Sequence, residues 1–315
     1  MNIGPTHDVA IIGGGAAGLS AAVALARSLR SVMVVDAGEP RNAHAAGAHN
    51  VLGQEGVSPL ELLAAGRREA EHYRADIRHD SAVAARRNDD RFEVDLAGGE
   101  TVRARRLLLA TGLIDELPDV PGVRELWGKS VLHCPYCHGW EVRGQRIGVL
   151  GTSERSVHQT LLFRQLSDDV TLFLHQAPDP NVEAWDQLVA LDVQVERGVV
   201  DQLRAENDVL RAAVLDDGPE VLVDALVVAP RFIARADLYE QLGGALTEHP
   251  MGAFIATEPM GRTEIPGVWA AGNASDLAAM VAVASGAGVA TAAAINVDLV
   301  AEDAGAAVRA RAGAR

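Results

Sequence analysis

The chain has 315 residues, enough for two domains with sizeable cores. With 48% hydrophobic residues and a formal net charge of −15 it reads as an acidic globular protein, a balance that gives no electrostatic case for binding nucleic acid. No apolar run is expected to span a bilayer, and the apolar start, preceded by Asp8 and broken by three consecutive glycines, lacks the basic leader of a signal peptide.

Asp8 to Ile12 is a short apolar strand running into Gly13-Gly14-Gly15-Ala16-Ala17-Gly18. An alanine-rich helix is expected to about Arg30, then a second strand over Ser31 to Val35 ending at Asp36. Strand, G-x-G-x-x-G, helix, strand and acid together make a dinucleotide fingerprint. Gly13 allows a tight turn, Gly15 lets backbone approach a pyrophosphate, and Gly18 lets the helix pack on the strand. The helix N-terminus faces the phosphates, and Asp36 accepts a ribose hydroxyl. A loop from Pro40 to Gly56 carries Arg41, Asn42, His49 and Asn50. Ser58-Pro59 then looks like the cap and first residue of a helix to His72. Three alternating segments, Ala82 to Arg86, Arg91 to Leu96 and Thr101 to Leu109, read as an antiparallel meander whose last strand returns to the main sheet at Thr111-Gly112.

Leu117 to Gly122 reads as a linker. Beyond it, His133-Cys134-Pro135-Tyr136-Cys137-His138-Gly139-Trp140-Glu141 holds the only two cysteines. A close pair in a chain with no other thiol points to a redox couple, provided the disulfide has something with which to exchange electrons. Two blander readings are a zinc site with His133 and His138, crowded into six consecutive residues, and a pair of inert core cysteines. A reversible dithiol suits a reducing compartment, and the cytoplasm is the expectation. The layout of the first third then repeats: strand Arg146 to Leu150, helix Glu154 to Gln165, strand Val170 to Leu174, a meander over Val193 to Val223, and strand Ala225 to Ala229. A second linker is expected near Gly243 to Pro250. Strand Val268 to Ala271, Gly272-Asn273 and a small-residue helix over Met280 to Ala301 close the chain, with Ala304 to Arg315 expected to fray.

The N-terminal fingerprint, an inserted nucleotide-like domain opening with C-x-x-C, and the closing Ala271-Gly272-Asn273 together resemble the low-molecular-weight thioredoxin reductase fold. The resemblance covers essentially the whole chain. It implies an α/β protein of two Rossmann-like, three-layer ββα nucleotide-binding domains. The first would span 1–116 and 247–315 and bind FAD; the second, 117–246, would be inserted into it and carry the dithiol. It implies a homodimer. Carried over, Gly13, Gly15, Ala16, Ala17, Gly18 and Asp36 hold the pyrophosphate and ribose, and Arg41, Asn42 and Asn50 lie toward the isoalloxazine. Val83 meets adenine through backbone, Thr111, Gly112 and Gly272 line the flavin, and Asn273 stands where an aspartate is usual. Met280 and Val281 replace an Arg-Gln pair, leaving the N–H groups of Val281 and Ala282 for the flavin pyrimidine.

The second domain departs from the resemblance. Its turn, Gly151-Thr152-Ser153-Glu154-Arg155-Ser156, keeps only the first glycine, and Leu174-His175-Gln176 replaces the usual His-Arg-Arg. A phosphate site needs backbone approach and positive charge, so NADPH is not expected to bind. Cys134 to Glu141 is similar to the C-x-x-C-H-G-(Trp/Tyr)-Glu signature of dithiol oxidases that close disulfides in gliotoxin-, holomycin- and romidepsin-type natural products. The Arg41-Asn42 loop and Ala229-Pro230-Arg231-Phe232 look like the same branch. That resemblance implies a small dithiol substrate attacking Cys134, Cys137 facing FAD, and O2 as final acceptor giving H2O2. His138 stands where reductases carry an aspartate and is the expected acid–base catalyst, with His133 a second candidate. The alternative is an NADPH- or ferredoxin-dependent thioredoxin or disulfide reductase. No metal is expected, and neither nucleic acid nor membrane as a partner.

Overall fold

A computed structural model of the chain describes residues 3–313. β1 (Ile3–Ile12) turns at Gly13 into α1 (Ala16–Arg27), and β2 (Val32–Asp36) follows with every residue buried, as a strand covered on both faces must be. Ser58 caps and Pro59 opens α2 (Pro59–His72), where the sequence placed them. β3 (Asp76–His79) was not expected: it has one apolar residue and is mostly exposed. β4 (Ala82–Asn88), β5 (Arg91–Leu96) and β6 (Thr101–Leu109) form the meander, and β7 (Leu113–Glu116) follows.

The middle third begins with α3 (Val123–Leu126), β8 (Val131–Leu132) and the short α4 (Pro135–His138). β9 (Ile147–Leu150), α5 (Arg155–Arg164) and β10 (Val170–Phe173) repeat the strand-helix-strand layout. α6 (Val182–Ala190), capped by Asn181, was not foreseen, and β11 (Gln194–Glu196) pairs parallel with β10 instead of opening the meander. The meander is β12 (Val200–Glu206), β13 (Val209–Leu215) and β14 (Glu220–Leu222), and β15 (Ala225–Val227) returns to the sheet. The last third holds β16 (Arg231–Ala234), α7 (Asp237–Gln241), β17 (Thr247–His249), β18 (Gly252–Phe254), β19 (Val268–Ala270) and α8 (Val281–Gly313).

Two compact units result, one from residues up to Ile114 and from Phe232 onward, the other Asp115–Arg231. The second crossing therefore comes at 231/232, not near 246. Its physical reason is burial: Ala236, Leu238 and Tyr239 pack into the core that holds Phe92, Val94 and Leu109. In the first unit β3-β2-β1-β6 run in that order, with β19 beside β6; in the second, β11-β10-β9-β15-β8 repeat it. Within one sheet β6 changes partner along its length: Thr101 to Ala104 pair antiparallel with β5, while Leu107 to Leu109 pair parallel with β19. Alternation along β1 separates the layers, since Val9 and Ile11 join α1 and α8 in one core and Ala10 and Ile12 join the meander in the other. The second unit repeats this, with Val149 and Phe163 on the helical side and Leu150 and Leu203 on the meander side.

The fraying expected from Ala304 does not occur, because α8 stays helical to Gly313; Ala314 and Arg315 lie outside the described residues. Arg30 donates to Asn296 (2.8 Å) and Asp303 (2.7 Å), Arg105 to Glu302 (2.7 Å) and Asp8 (2.8 Å), and Arg106 to Asp298 (2.6 Å). By length and composition α8 is also apolar enough to cross a bilayer, contrary to the expectation that no segment is. Those ion pairs, and the burial of Ala284, Gly288, Thr291, Ala292, Ile295 and Leu299 along one face, tie α8 to the core of the first unit.

Candidate functional site: a dinucleotide cradle and a separate dithiol

In the first unit, the carboxyl ends of the parallel strands converge on the Gly13 turn, where α/β sheets bind ligands. Gly13 N–H donates to Val35 O (2.8 Å) and Ala110 N–H to Ile12 O (2.8 Å). The glycines divide their work. At Gly13 (φ 112°) a Cβ would lie 2.2 Å from Ala110 O, and at Gly18 one would lie 1.9 Å from Gly13 O, so these two serve the packing of turn and helix. A Cβ on Gly15 would meet nothing within 4 Å. That residue is the N-cap of α1, whose first turn has no acidic side chain and no side-chain cap. Open space before uncapped helical N–H groups fits an anionic pyrophosphate, with Ala16 and Ala17 supplying the first turn.

Asp36, buried at the end of β2, accepts from Gly38 N–H (3.0 Å) and from Arg67 Nη2 (2.8 Å). Burial pushes its carboxyl up, but the Arg67 bond and the N–H groups of Gly38 and Gly14 outweigh that and hold it below the ordinary value. It is therefore a charged acceptor at the place a ribose hydroxyl would reach. Arg67, on α2, was missed; nothing in its spacing from Asp36 announces the pair.

Gly272 comes to the same place, where its Cβ would lie 2.9 Å from that of Ala17, and Gly288 of α8 would meet Ala17 O at 2.1 Å. The small residues of α8 thus allow close helix packing. Asn273 donates Nδ2 to Asp276 O and Ala279 O, both at 3.0 Å, which ties the loop before α8. An aspartate could not make those two bonds. Val281 and Ala282 occupy the first turn of α8, where N–H groups have no intrahelical acceptor. Thr111 donates its hydroxyl to Arg235 O (2.6 Å) and Gly112 O accepts Arg235 N–H (3.0 Å), so this turn is stapled to the returning chain. The β4–β5 register shifts between Ala82 and Ala84, which leaves Val83 exposed at a bulge. Gln241 holds both sides of it, accepting from Ala85 N–H (2.8 Å) and donating to Val83 O (3.4 Å). Arg41 stacks on Phe232 at 5.1 Å, in the loop that carries Asn42. Asn50 sits at φ 59°, its N–H donated to Glu55 (2.9 Å), which also holds His49 Nδ1 (2.7 Å).

The cysteines lie in the second unit. Cys134 is the N-cap of α4, and its carbonyl accepts the N–H of Cys137 (3.3 Å) and His138 (3.2 Å). Both cysteines are partly accessible. Tyr136 and Trp140 are 65% and 68% exposed, so neither is a core aromatic; Arg143 lies over the Trp140 ring at 3.9 Å. His133 Nδ1 lies 3.0 Å from Val228 O. Gln159 of α5, 8% exposed and also missed, donates Nε2 to His133 O (3.1 Å) and Val228 O (3.3 Å), while its Oε1 is buried with no partner. Among the described residues, no group of three or more His, Cys, Asp or Glu side chains is arranged to hold a metal.

The second cradle is filled from within. Ser156, 2% exposed and at the position of the last fingerprint glycine, accepts the N–H of Thr152 (3.1 Å) and of Ser153 (3.4 Å) on its hydroxyl. Gln176 and Ala177 close over the turn by donating to Gly151 O (3.0 and 3.1 Å). His175 Nδ1 accepts Val200 N–H (3.1 Å), and burial lowers its pKa, so it carries no charge for a phosphate. Glu154 remains exposed beside the turn.

The family model described as pyridine nucleotide-disulphide oxidoreductase matches residues 7–293. The chain is similar to the thioredoxin reductase tcpT of Claviceps purpurea (strain 20.1), 36% identical over 84% of this chain and 86% of that one. It is also similar to the thioredoxin reductase sirT of Leptosphaeria maculans, 31% identical over 92% and 93%. Among solved structures, the crystal structure of HlmI matches with a TM-score of 0.90 and 45% identity over 98% of this chain and 96% of that one.

Proposed function

We propose a reaction from one premise: the chain belongs to the pyridine nucleotide-disulphide oxidoreductase family, whose members are flavin-dependent, and is a thioredoxin reductase-like oxidoreductase. In this reading it is an FAD-dependent oxidase that closes an intramolecular disulfide in a small dithiol of secondary-metabolite type, with O2 as acceptor and without NADPH. The open space at Gly15, the uncapped start of α1 and the charged Asp36 fit FAD; Gly13, Ala16, Ala17 and Gly272 shape the cradle around it.

A substrate thiolate attacks Cys134 of the Cys134–Cys137 disulfide, and Cys137 leaves as thiolate. The second substrate thiol then attacks the mixed disulfide, releasing the cyclised product and a reduced Cys134–Cys137 pair. Two electrons pass from substrate to enzyme. FAD, held by Gly13, Gly15, Ala16, Ala17 and Asp36, would supply the two-electron acceptor that returns the pair to a disulfide, with O2 as the final acceptor reduced to H2O2. Tyr136 and Trp140, exposed beside the thiols, offer apolar surface to such a substrate.

The observation that carries the absence of NADPH is the Ser156 hydroxyl on the Thr152 and Ser153 N–H groups, the donors a pyrophosphate would need. Oxygen uptake and peroxide release over a panel of small dithiols test the reading, with Cys134→Ser and Cys137→Ser as controls. The rival is an NADPH- or ferredoxin-dependent reductase of thioredoxin or a small disulfide, favoured by the names of the tcpT and sirT relatives. Rapid bleaching of the flavin by NADPH in a stopped-flow instrument would establish that rival. The reading includes a homodimer in the cytoplasm; light scattering on the purified chain checks the first.

A further inference from the structure

We propose that Gln159 is a positioning residue which, with the Val228 carbonyl, holds His133 as the base that serves the dithiol. This rests on the dithiol chemistry proposed above and moves the acid–base role from His138 to His133. The argument starts from a tautomer. A carbonyl oxygen only accepts, so the 3.0 Å approach of His133 Nδ1 to Val228 O requires the proton on Nδ1. The neutral ring then carries its lone pair on Nε2.

Gln159 makes that arrangement rigid. Its amide nitrogen donates to the backbone oxygen of His133 itself and to Val228 O, the acceptor shared with the ring. Two carbonyls on one side of the amide fix its orientation, since a flipped Oε1 would face both. The same Nε2 lies 3.5 Å from Nδ1, a weaker partner for a bare Nδ1 than Val228 O at 3.0 Å is for a protonated one. Three elements meet here: the end of β8, whose Leu132 O accepts Val228 N–H at 2.8 Å, the end of β15, and α5. Stability alone does not call for a glutamine, because its buried Oε1 has no partner and an apolar side chain would avoid that cost. In the proton step, the thiol S–H bond breaks, an N–H bond forms at Nε2, and the imidazolium that results is stabilised through its Nδ1–H bond to Val228 O.

Other titratable or charged side chains here are Arg155, exposed His158 and Arg164 on α5, and, on the adjoining α4 and its N-cap, Cys134, Tyr136, Cys137 and His138. A long-range 1H–15N spectrum of the reduced protein, with the His133 signals assigned by their loss in His133→Asn, is expected to show a protonated Nδ1 and a bare Nε2. Gln159→Met is expected to slow turnover about tenfold and to displace the acid limb of its pH profile, with an unchanged or higher melting temperature. In the His133→Asn background it should slow nothing further, whereas in His138→Asn the two losses should multiply. The pH dependence of iodoacetamide alkylation of Cys134, read in Cys137→Ser, should shift with Gln159→Met in the same direction. The spectrum and the alkylation need neither substrate nor oxygen, so they stand even if no dithiol is turned over. A proton on Nε2 of His133, or an equal loss from Gln159→Met with and without His133, overturns the proposal.

Discussion

Ser156 holds the Thr152 N–H on its hydroxyl at 3.1 Å, so one side chain occupies the donor that makes a glycine-rich turn a phosphate site. Any dinucleotide would have to displace it. We expect NADPH and NADH to leave the flavin spectrum unchanged. Ser156→Ala should lower stability by about 1–2 kcal/mol, because two N–H groups lose their buried acceptor. Denaturant titration followed by fluorescence reads the second effect, and nucleotide titration of the same variant shows whether opening the turn is enough to admit a phosphate. It should not be, since neutral His175 offers no charge and exposed Glu154 offsets that of its neighbour Arg155.

Two glycines of the first fingerprint should fail in opposite ways. Gly18→Ala places a methyl 1.9 Å from Gly13 O and is expected to cost about 3 kcal/mol or prevent folding. Gly15→Ala meets no protein atom within 4 Å. It should fold with an unchanged melting temperature as apoprotein and bind FAD at least about tenfold more weakly, by intruding on the space for the pyrophosphate. Circular dichroism and flavin fluorescence separate the two outcomes.

Arg67 should matter to the cofactor without touching it. Arg67→Met removes the partner that, with two N–H groups, keeps the buried Asp36 ionised. The variant is expected to take up protons at a higher pH than the parent and to release FAD there. Fluorescence of free flavin against pH measures it. If release follows the same curve in both proteins, the ion pair does not govern the ribose site.

The ties of α8 predict acid sensitivity. Burial raises the Glu302 carboxyl, but its bonds with Arg105 and Arg106 outweigh that and leave it below its ordinary value; bonds with Arg30 and Arg105 lower Asp303. A depressed folded pKa means that the unfolded chain binds more protons, so stability rises with pH across the carboxylate range. The contribution is complete above the unfolded value and is lost as pH falls through the folded ones. Glu302→Gln should be less stable than the parent at about pH 7 and lose less between about pH 6 and pH 3. Denaturant midpoints across that range check it.

The first unit was legible where local rules agree: an apolar strand, a glycine turn, an alanine-rich helix and Asp36 each pointed to the same motif. Thr101 to Leu109 was also readable as a strand that ends a meander and rejoins the sheet. β3 escaped because an exposed edge strand such as Asp76-Ile77-Arg78-His79 needs no apolar alternation. The second crossing was misplaced because Tyr239 and its neighbours join their core through tertiary contacts that no period reveals. Arg67 and Gln159 were invisible for a related reason. Each acts on a residue far away in sequence, and an isolated arginine or glutamine on a helix carries no signal of its target.

The chain leaves the first unit along β7 and re-enters it along β16, and these two strands are hydrogen-bonded neighbours in one sheet. The middle third is therefore a cassette whose ends abut. A short splice between Ile114 and Phe232 would delete it without asking the flanking segments to move apart. The same adjacency would let a foreign dithiol-bearing module be grafted at that seam.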